Sequence, residues 1–180
     1  VLFQARFLAV IQNNQFVISN SERGNVKGFL KQLTGSANFA APQNITLEKK
    51  HVMKRQYEDY QSLVSIRRNF TVTDKADGER NLCIVGDDAR MYLINRKNEI
   101  KSIGASMPGF EKTLFDGELV TKDKEDKSIY LFAVFDIYYF KGESLKETIL
   151  ARTSAQKEEG EIKKSRMEYL IDIFDKLKIV

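Results

Sequence analysis

The ten residues VTDKADGERN, positions 72 to 81, place a lysine, an aspartate, a glycine and an arginine within six positions. Lys75 is the residue in this string with nucleophilic potential. An amine attacks only when neutral, and an ordinary lysine pKa of about 10.4 leaves under ~1% neutral at pH 7. The side chain therefore needs burial or cationic neighbours. Phe70 and Val72 precede it, the run LCIV follows it, and Arg80 lies five residues on. Taken alone, the string reads better as a charged turn, with Lys75 as one of 29 basic residues beside Asp74, Asp77 and Glu79.

Composition bounds the classes to which such a site could belong. The chain has 180 residues, 42% of them apolar and 30% charged, which suits one globular domain with an appendage. No apolar run reaches the ~20 residues of a membrane helix, so no membrane partner is expected. The single cysteine, Cys83, excludes an internal disulfide and a cysteine-based zinc cluster, in keeping with a reducing intracellular compartment. His51 is the only histidine and has no second metal ligand near it in sequence. The net charge of +4 is a mild surplus, compatible with a polyanionic partner but too small to demonstrate one.

The elements that must hold these residues change character along the chain. The first four residues, VLFQ, resemble the remainder of a protease-cleavage linker. RFLAVI and QFVI around Asn13-Asn14 suggest a hairpin. Val26, Phe29, Leu30 and Leu33 then have helical spacing, with Gly35 as the stop. These opening 35 residues are expected to be an extension or the end of an upstream domain, and residues 36–180 a partial catalytic domain. The segment 45–66 is polar and basic with a modest helical period; its cluster Lys49, Lys50, Lys54 and Arg55 suits a solvated helix face or an RNA-facing surface.

From Phe70 onward the pattern is one of strands. NLCIV and RMYLIN flank Gly86-Asp87-Asp88 as a hairpin, KTLFDGELV forms the next strand, and the charged turn KDKEDKS leads into IYLFAVFDIYYF. Strands joined by short turns imply an antiparallel sheet, and hence an α+β fold. Near the end, Ser165 and Glu168 have capping-box spacing, and Met167, Leu170, Ile171, Phe174 and Leu177 make an apolar helical stripe. Gln156 to Lys164 is a charged loop, or a helix weakened by Gly160.

The order of four segments settles how the lysine string is read. KADGER, YLINRKNEI, FDGELV and AVFDIYYF follow one another at intervals of roughly twenty residues. In that order they resemble the motifs of the covalent nucleotidyltransferases, the superfamily of mRNA capping guanylyltransferases and ATP-dependent polynucleotide ligases. Ala76 between lysine and aspartate and the run DGELV are more like the capping guanylyltransferases, and the upstream PQNITLEKKHV is similar to a stretch in the capping enzymes of large DNA viruses, so the resemblance favours a guanylyltransferase with a ligase as the alternative. AVFDIYYFKGESL is more like a ligase.

The resemblance implies a fold with antiparallel sheets flanking a nucleotide cleft, and it implies roles. Lys75 is the nucleophile that becomes nucleotidylated, Asp77 supports it, and Gly78 lets the backbone turn beside the nucleotide. Arg80 and Glu118 hold the ribose, with Glu118 also able to hold metal-bound water. Arg96 faces phosphate, and Phe135 stacks on the purine, although Phe132 competes for that role. Asp136 belongs to the same nucleotide-binding element, and an aspartate in so apolar a run needs a polar partner. Implied partners are GTP (ATP for a ligase), Mg2+ or Mn2+, and an RNA 5′ end. Triphosphatase and methyltransferase domains on the same chain are expected, with the host cytoplasm as compartment if the protein is viral.

Two further elements of the superfamily are missing from these residues: a glutamate-glycine strand and a lysine-x-lysine strand, normally followed by an oligonucleotide-binding barrel. Lys176 and Lys178 sit on a helical pattern and do not make the latter strand. The chain is therefore expected to be an incomplete enzyme. A degenerate, non-catalytic RNA-binding or scaffold module is the remaining alternative, against which intact Lys75, Asp77, Arg80 and Glu118 argue.

Overall fold

The computed structural model describes residues 2–12, 14, 16–52, 66, 70–152 and 164–177. They fall into two compact units: residues 1–41 with 76–180, and residues 42–75.

The larger unit is built on one six-stranded antiparallel sheet in the order β3-β2-β1-β4-β5-β6. The strands are β1 (Glu79–Val85), β2 (Arg90–Asn95), β3 (Ile100–Ser106), β4 (Leu114–Lys122), β5 (Ser128–Phe140) and β6 (Glu143–Ser144). Central strands buried on both faces read as continuous apolar runs. That is the pattern of NLCIV in β1, where Asn81 to Val85 are all buried. The hairpin expected around residues 86 to 88 is present, with Gly86 N–H donating to Arg90 O at 2.9 Å. The antiparallel sheet is therefore as the strand pattern implied.

Each face of the sheet carries its own apolar cluster. On one, Leu82, Ile84, Tyr92, Ile94 and Leu114 meet Ile18, Val26 and Leu30. Val26 and Leu30 belong to α2 (Asn20–Thr34), which starts at Ser19, whose hydroxyl accepts from Glu22 N–H, and stops at Gly35 in the left-handed conformation, φ 79°. On the other face, Cys83, Val85, Leu93, Phe115 and Ile137 meet Leu170 and Ile173. Those two come from α4 (Arg166–Lys176), whose Glu168 carboxylate accepts from both the backbone and the hydroxyl of Ser165, each at 2.8 Å.

Several expectations are corrected. RFLAVI is not a strand of a hairpin: it lies in helix α1 (Leu2–Ile11). A short apolar run cannot be assigned by periodicity alone, and Phe7, Val10 and Ile11 stay exposed. The stretch read as an extension supplies Ile18, Val26 and Leu30 to the core, so it is part of the same unit as the sheet. Strand β3 was unexpected, because IKSIGAS is an edge strand with only Ile100 buried and leaves a weak pattern. The stripe on α4 is rotated: Leu170 and Ile173 are buried, while Met167, Ile171 and Phe174 are exposed.

In the smaller unit, α3 (Lys49–Val52) is one turn of helix at whose start His51 Nδ1 accepts from Glu48 N–H at 2.8 Å, a local role for the lone histidine. Lys54 and Arg55, the charged segment 156–163 and Lys178 lie outside the described residues. No helix among the described residues is long and apolar enough to cross a membrane.

Candidate active site

Strand register brings two of the motif residues together directly. β1 and β4 pair antiparallel with Arg80 opposite Glu118 and Leu82 opposite Asp116. Paired residues on neighbouring antiparallel strands project to the same face. Arg80, Glu118 and Asp116 therefore share one face, that of the cluster containing Leu82 and Leu114. On the other side of β1, Asn81 pairs with Asn95, so Arg96, one residue further, lies at the Arg80 end of the sheet in the exposed turn that follows β2. Three motifs separated by about twenty residues each thus converge at one end of three adjacent strands.

Arg80 is the best-anchored member. Its Nε donates to Asp116 Oδ1 at 3.0 Å and its Nη2 to Asp116 Oδ2 at 2.5 Å, the two-pronged geometry that suits a guanidinium and a carboxylate. The Tyr138 hydroxyl donates to the same Oδ2 at 2.6 Å. Asp116 is fully buried, and a carboxylate there requires such partners. The Asp116 carboxylate in turn raises the Arg80 pKa above its ordinary value, outweighing the opposing effect of burial. Burial first, and the bond to Asp116 second, push the Tyr138 hydroxyl well above the usual tyrosine range. Tyr138 stays protonated as a donor.

Two aromatic rings flank the guanidinium. Its central carbon is 5.6 Å from the centroid of Phe39 and 5.8 Å from that of Phe135, within cation–π range. Between β4 and β5 the register passes from Asp116 opposite Asp136 to Gly117 opposite Val134, so Phe135 is the extra residue of a bulge. Odd spacing along β5 puts the two candidate stacking rings on opposite faces of the sheet. Phe132 packs with the cluster on the α4 face, and its ring would stand 2.6 Å from a Cβ at Gly117. Phe135 instead sits with Arg80. Phe39, Asp116 and Tyr138 were not among the expected site residues. The signal for Asp116 was its alternation with Leu114, which put a carboxylate on a core-facing position.

The other motif residues are placed as follows. Asp77 is exposed. Gly78 runs against β4: a Cβ there would meet the Leu119 carbonyl, with Glu118 Cγ 3.1 Å away, so only glycine permits the approach. Asp136 is 8% exposed and is held by Arg166, with Nε–Oδ1 2.7 Å and Nη2–Oδ2 3.1 Å, and it accepts from Ile137 N–H at 2.8 Å. Its polar partner is thus the first residue of α4. Lys75 is exposed and is the last residue of the smaller unit, one peptide bond before the larger one begins at Ala76.

No cluster of three metal-ligating side chains occurs among the described residues. Asp116 is already committed to Arg80, which leaves Glu118, half-buried on β4, as the carboxylate facing this part of the sheet. A magnesium-type ion commonly takes one or two carboxylates and completes its shell with phosphates and water, so this donor set suits an ion that arrives with a nucleotide. A cavity of about 290 Å3 lined by Glu22, Val26, Phe29, Ile84, Asp88 and Tyr92 lies at the opposite end of β1 and involves none of these residues.

Comparison of the chain with curated proteins finds no match. A family model described as mRNA capping enzyme, catalytic domain, matches residues 10–176. That span takes in α2, the entire sheet and α4, and with them every motif residue described above. The chain belongs to the mRNA capping enzyme catalytic domain family: it is a guanylyltransferase, with GTP and an RNA 5′ end as substrates.

Proposed function

We propose that Lys75 carries the guanylyl group. Its neutral Nζ attacks the α-phosphorus of GTP, a P–N bond forms, the bond to the bridging oxygen of the β-phosphate breaks, and pyrophosphate leaves. One ammonium proton is lost to solvent before attack and a second as the phosphoramidate forms, and the amine recovers a proton when it leaves. The resulting lysyl-GMP is attacked by a terminal oxygen of a 5′-diphosphate RNA, which takes the GMP and frees the amine. Charge builds on phosphate oxygens in both steps, so fixed cations are the main catalytic resource.

The observation that carries this reading is the pairing of Arg80 with Glu118 across β1 and β4, beside the Phe135 ring. Arg80 offers a guanidinium already oriented by Asp116, Glu118 an acceptor for a ribose hydroxyl, and Phe135 a flat face for guanine. Arg96 is suited to phosphate of the triphosphate or of the RNA end, and Asp77 to supporting Lys75. Mg2+ or Mn2+, held through Glu118 and the phosphates, would neutralise charge on the triphosphate. Further capping domains, a large DNA virus as source and the host cytoplasm as compartment accord with the upstream PQNITLEKKHV and belong to the same proposal.

The test is covalent labelling. Protein incubated with α-labelled GTP or ATP and Mg2+, then denatured, should retain label from GTP only, and Lys75→Ala should retain none. Label from ATP alone would make the protein a ligase, and full labelling of Lys75→Ala would remove Lys75 from its role.

A further inference from the structure

The residue after Phe135 is tied to an element on the far side of the sheet. Phe132 and Val134 belong to the α4-side cluster, so alternation along β5 puts Phe135 on the opposite face, where its ring meets Arg80, and Phe135 is also the residue at which the ladder bulges. A bulge leaves its ladder locally unpaired, so the orientation of the displaced residue depends on what fixes the backbone beside it. Here that fixture is Asp136. Its carboxylate accepts from the next peptide N–H and from both ends of the Arg166 guanidinium.

Arg166 is itself tied down. Its backbone N–H donates to Ile149 O at 3.0 Å and its Nη1 to Thr148 O at 2.5 Å. Its helix is seated by Leu170 and Ile173 in the core. Asp136 and Arg166 are 12% and 15% exposed in their side chains, so neither ion is readily replaced by water.

We infer that Arg166 is a positioning residue for the nucleotide: through Asp136 it holds the Phe135 bulge, so that α4 contributes to GTP affinity from the opposite face of the sheet without touching the ligand. The inference rests on the reading of Phe135 as the stacking surface for guanine.

A double-mutant cycle tests it. The Kd of an α,β-methylene analogue of GTP, which cannot transfer its nucleotide, is measured by calorimetry for the unaltered protein, Phe135→Ala, Arg166→Gln and the double variant. Losing a stacked ring should weaken binding about tenfold. Arg166→Gln should weaken it by a similar or smaller factor, Arg166→Lys should recover part of that loss, and the double variant should bind no worse than Phe135→Ala. Multiplicative weakening in the double variant would overturn the positioning role, since a general loss of stability does not depend on Phe135. An unchanged Kd for Phe135→Ala would instead overturn the stacking reading. Where Arg166→Gln does not fold, Asp136→Asn carries the same cycle with the same outcomes.

Discussion

Asp116 holds Arg80 through both carboxylate oxygens, and Tyr138 holds Asp116 in turn. Arg80 retains 11% side-chain exposure where Asp116 has none, so the pair is buried at its acidic end and open at its basic end. A buried carboxylate that loses its cation becomes an uncompensated charge, at a cost of about 3–5 kcal/mol. Arg80→Ala should therefore destabilise the fold as well as disable the site, and Arg80→Ala with Asp116→Ala should recover much of that stability without recovering guanylylation. Urea unfolding of the two singles and the double variant checks this; additive losses would mean that the pair is not coupled.

Lys75→Ala is expected to behave oppositely. The side chain is exposed, so its truncation should leave the thermal midpoint within error while covalent labelling by GTP disappears. Surface changes away from special features ordinarily stay within about ±0.5 kcal/mol. A large drop in the midpoint would assign Lys75 a structural role.

Gly78→Ala should cost more than its size suggests. The added methyl group meets the Leu119 carbonyl and lies 3.1 Å from Glu118 Cγ, so β4 must move at Leu119, next to the residue paired with Arg80. Overpacking of this kind costs about 1–3 kcal/mol. We expect weaker GTP binding together with a lowered midpoint, and wild-type values for both would show that the strand yields freely.

Glu118→Ala should raise the KM for GTP through a lost ribose or ion contact, with little change in stability because the side chain is only half-buried. Comparison with 2′- and 3′-deoxy-GTP localises the contact: the variant should discriminate less between GTP and the analogue lacking the relevant hydroxyl. Unaltered affinity and labelling rate would remove the role.

Acid should release α4 late. Glu168 has its pKa lowered to about 2, chiefly by its bond to Arg152 and then by those from Ser165. A depressed carboxylate pKa stabilises the folded state above the unfolded value near 4.5 and loses that contribution as pH falls toward 2. Stability should thus decline across that window, and Glu168→Gln should flatten the decline. An unchanged slope in the variant would indicate that other carboxylates govern acid unfolding.

Much of the site was legible from residue order. The four motif segments, the hairpin at residues 86 to 88, the long strand through Phe135 and the cap at Ser165 all lie where pattern and punctuation put them. What the pattern could not supply was tertiary. Alternation puts Phe132 and Phe135 on opposite faces, but which face meets Arg80 follows only from the two clusters of the folded sheet. Asp116 alternates with Leu114 along its strand, but its partner Arg80 is visible only in the register between β1 and β4. Asp136 drew attention as a carboxylate among apolar neighbours, but its partner, Arg166, is thirty residues away. The helix at residues 2 to 11 was missed because a short apolar run fits either period.

The two apolar clusters, one on each face of the sheet, also set a timetable for synthesis. Helix α2 is made before the strands of this sheet, and its Val26 and Leu30 have no surface to cover until β1 and its neighbours emerge. The opposite face stays bare longer still, because its cover, α4, is made only after all six strands. A nascent chain therefore carries an unprotected sheet face from the emergence of the strands until α4 is complete, the condition under which chaperone capture competes with aggregation. Pauses after residue 140 should be less well tolerated than pauses after Lys176.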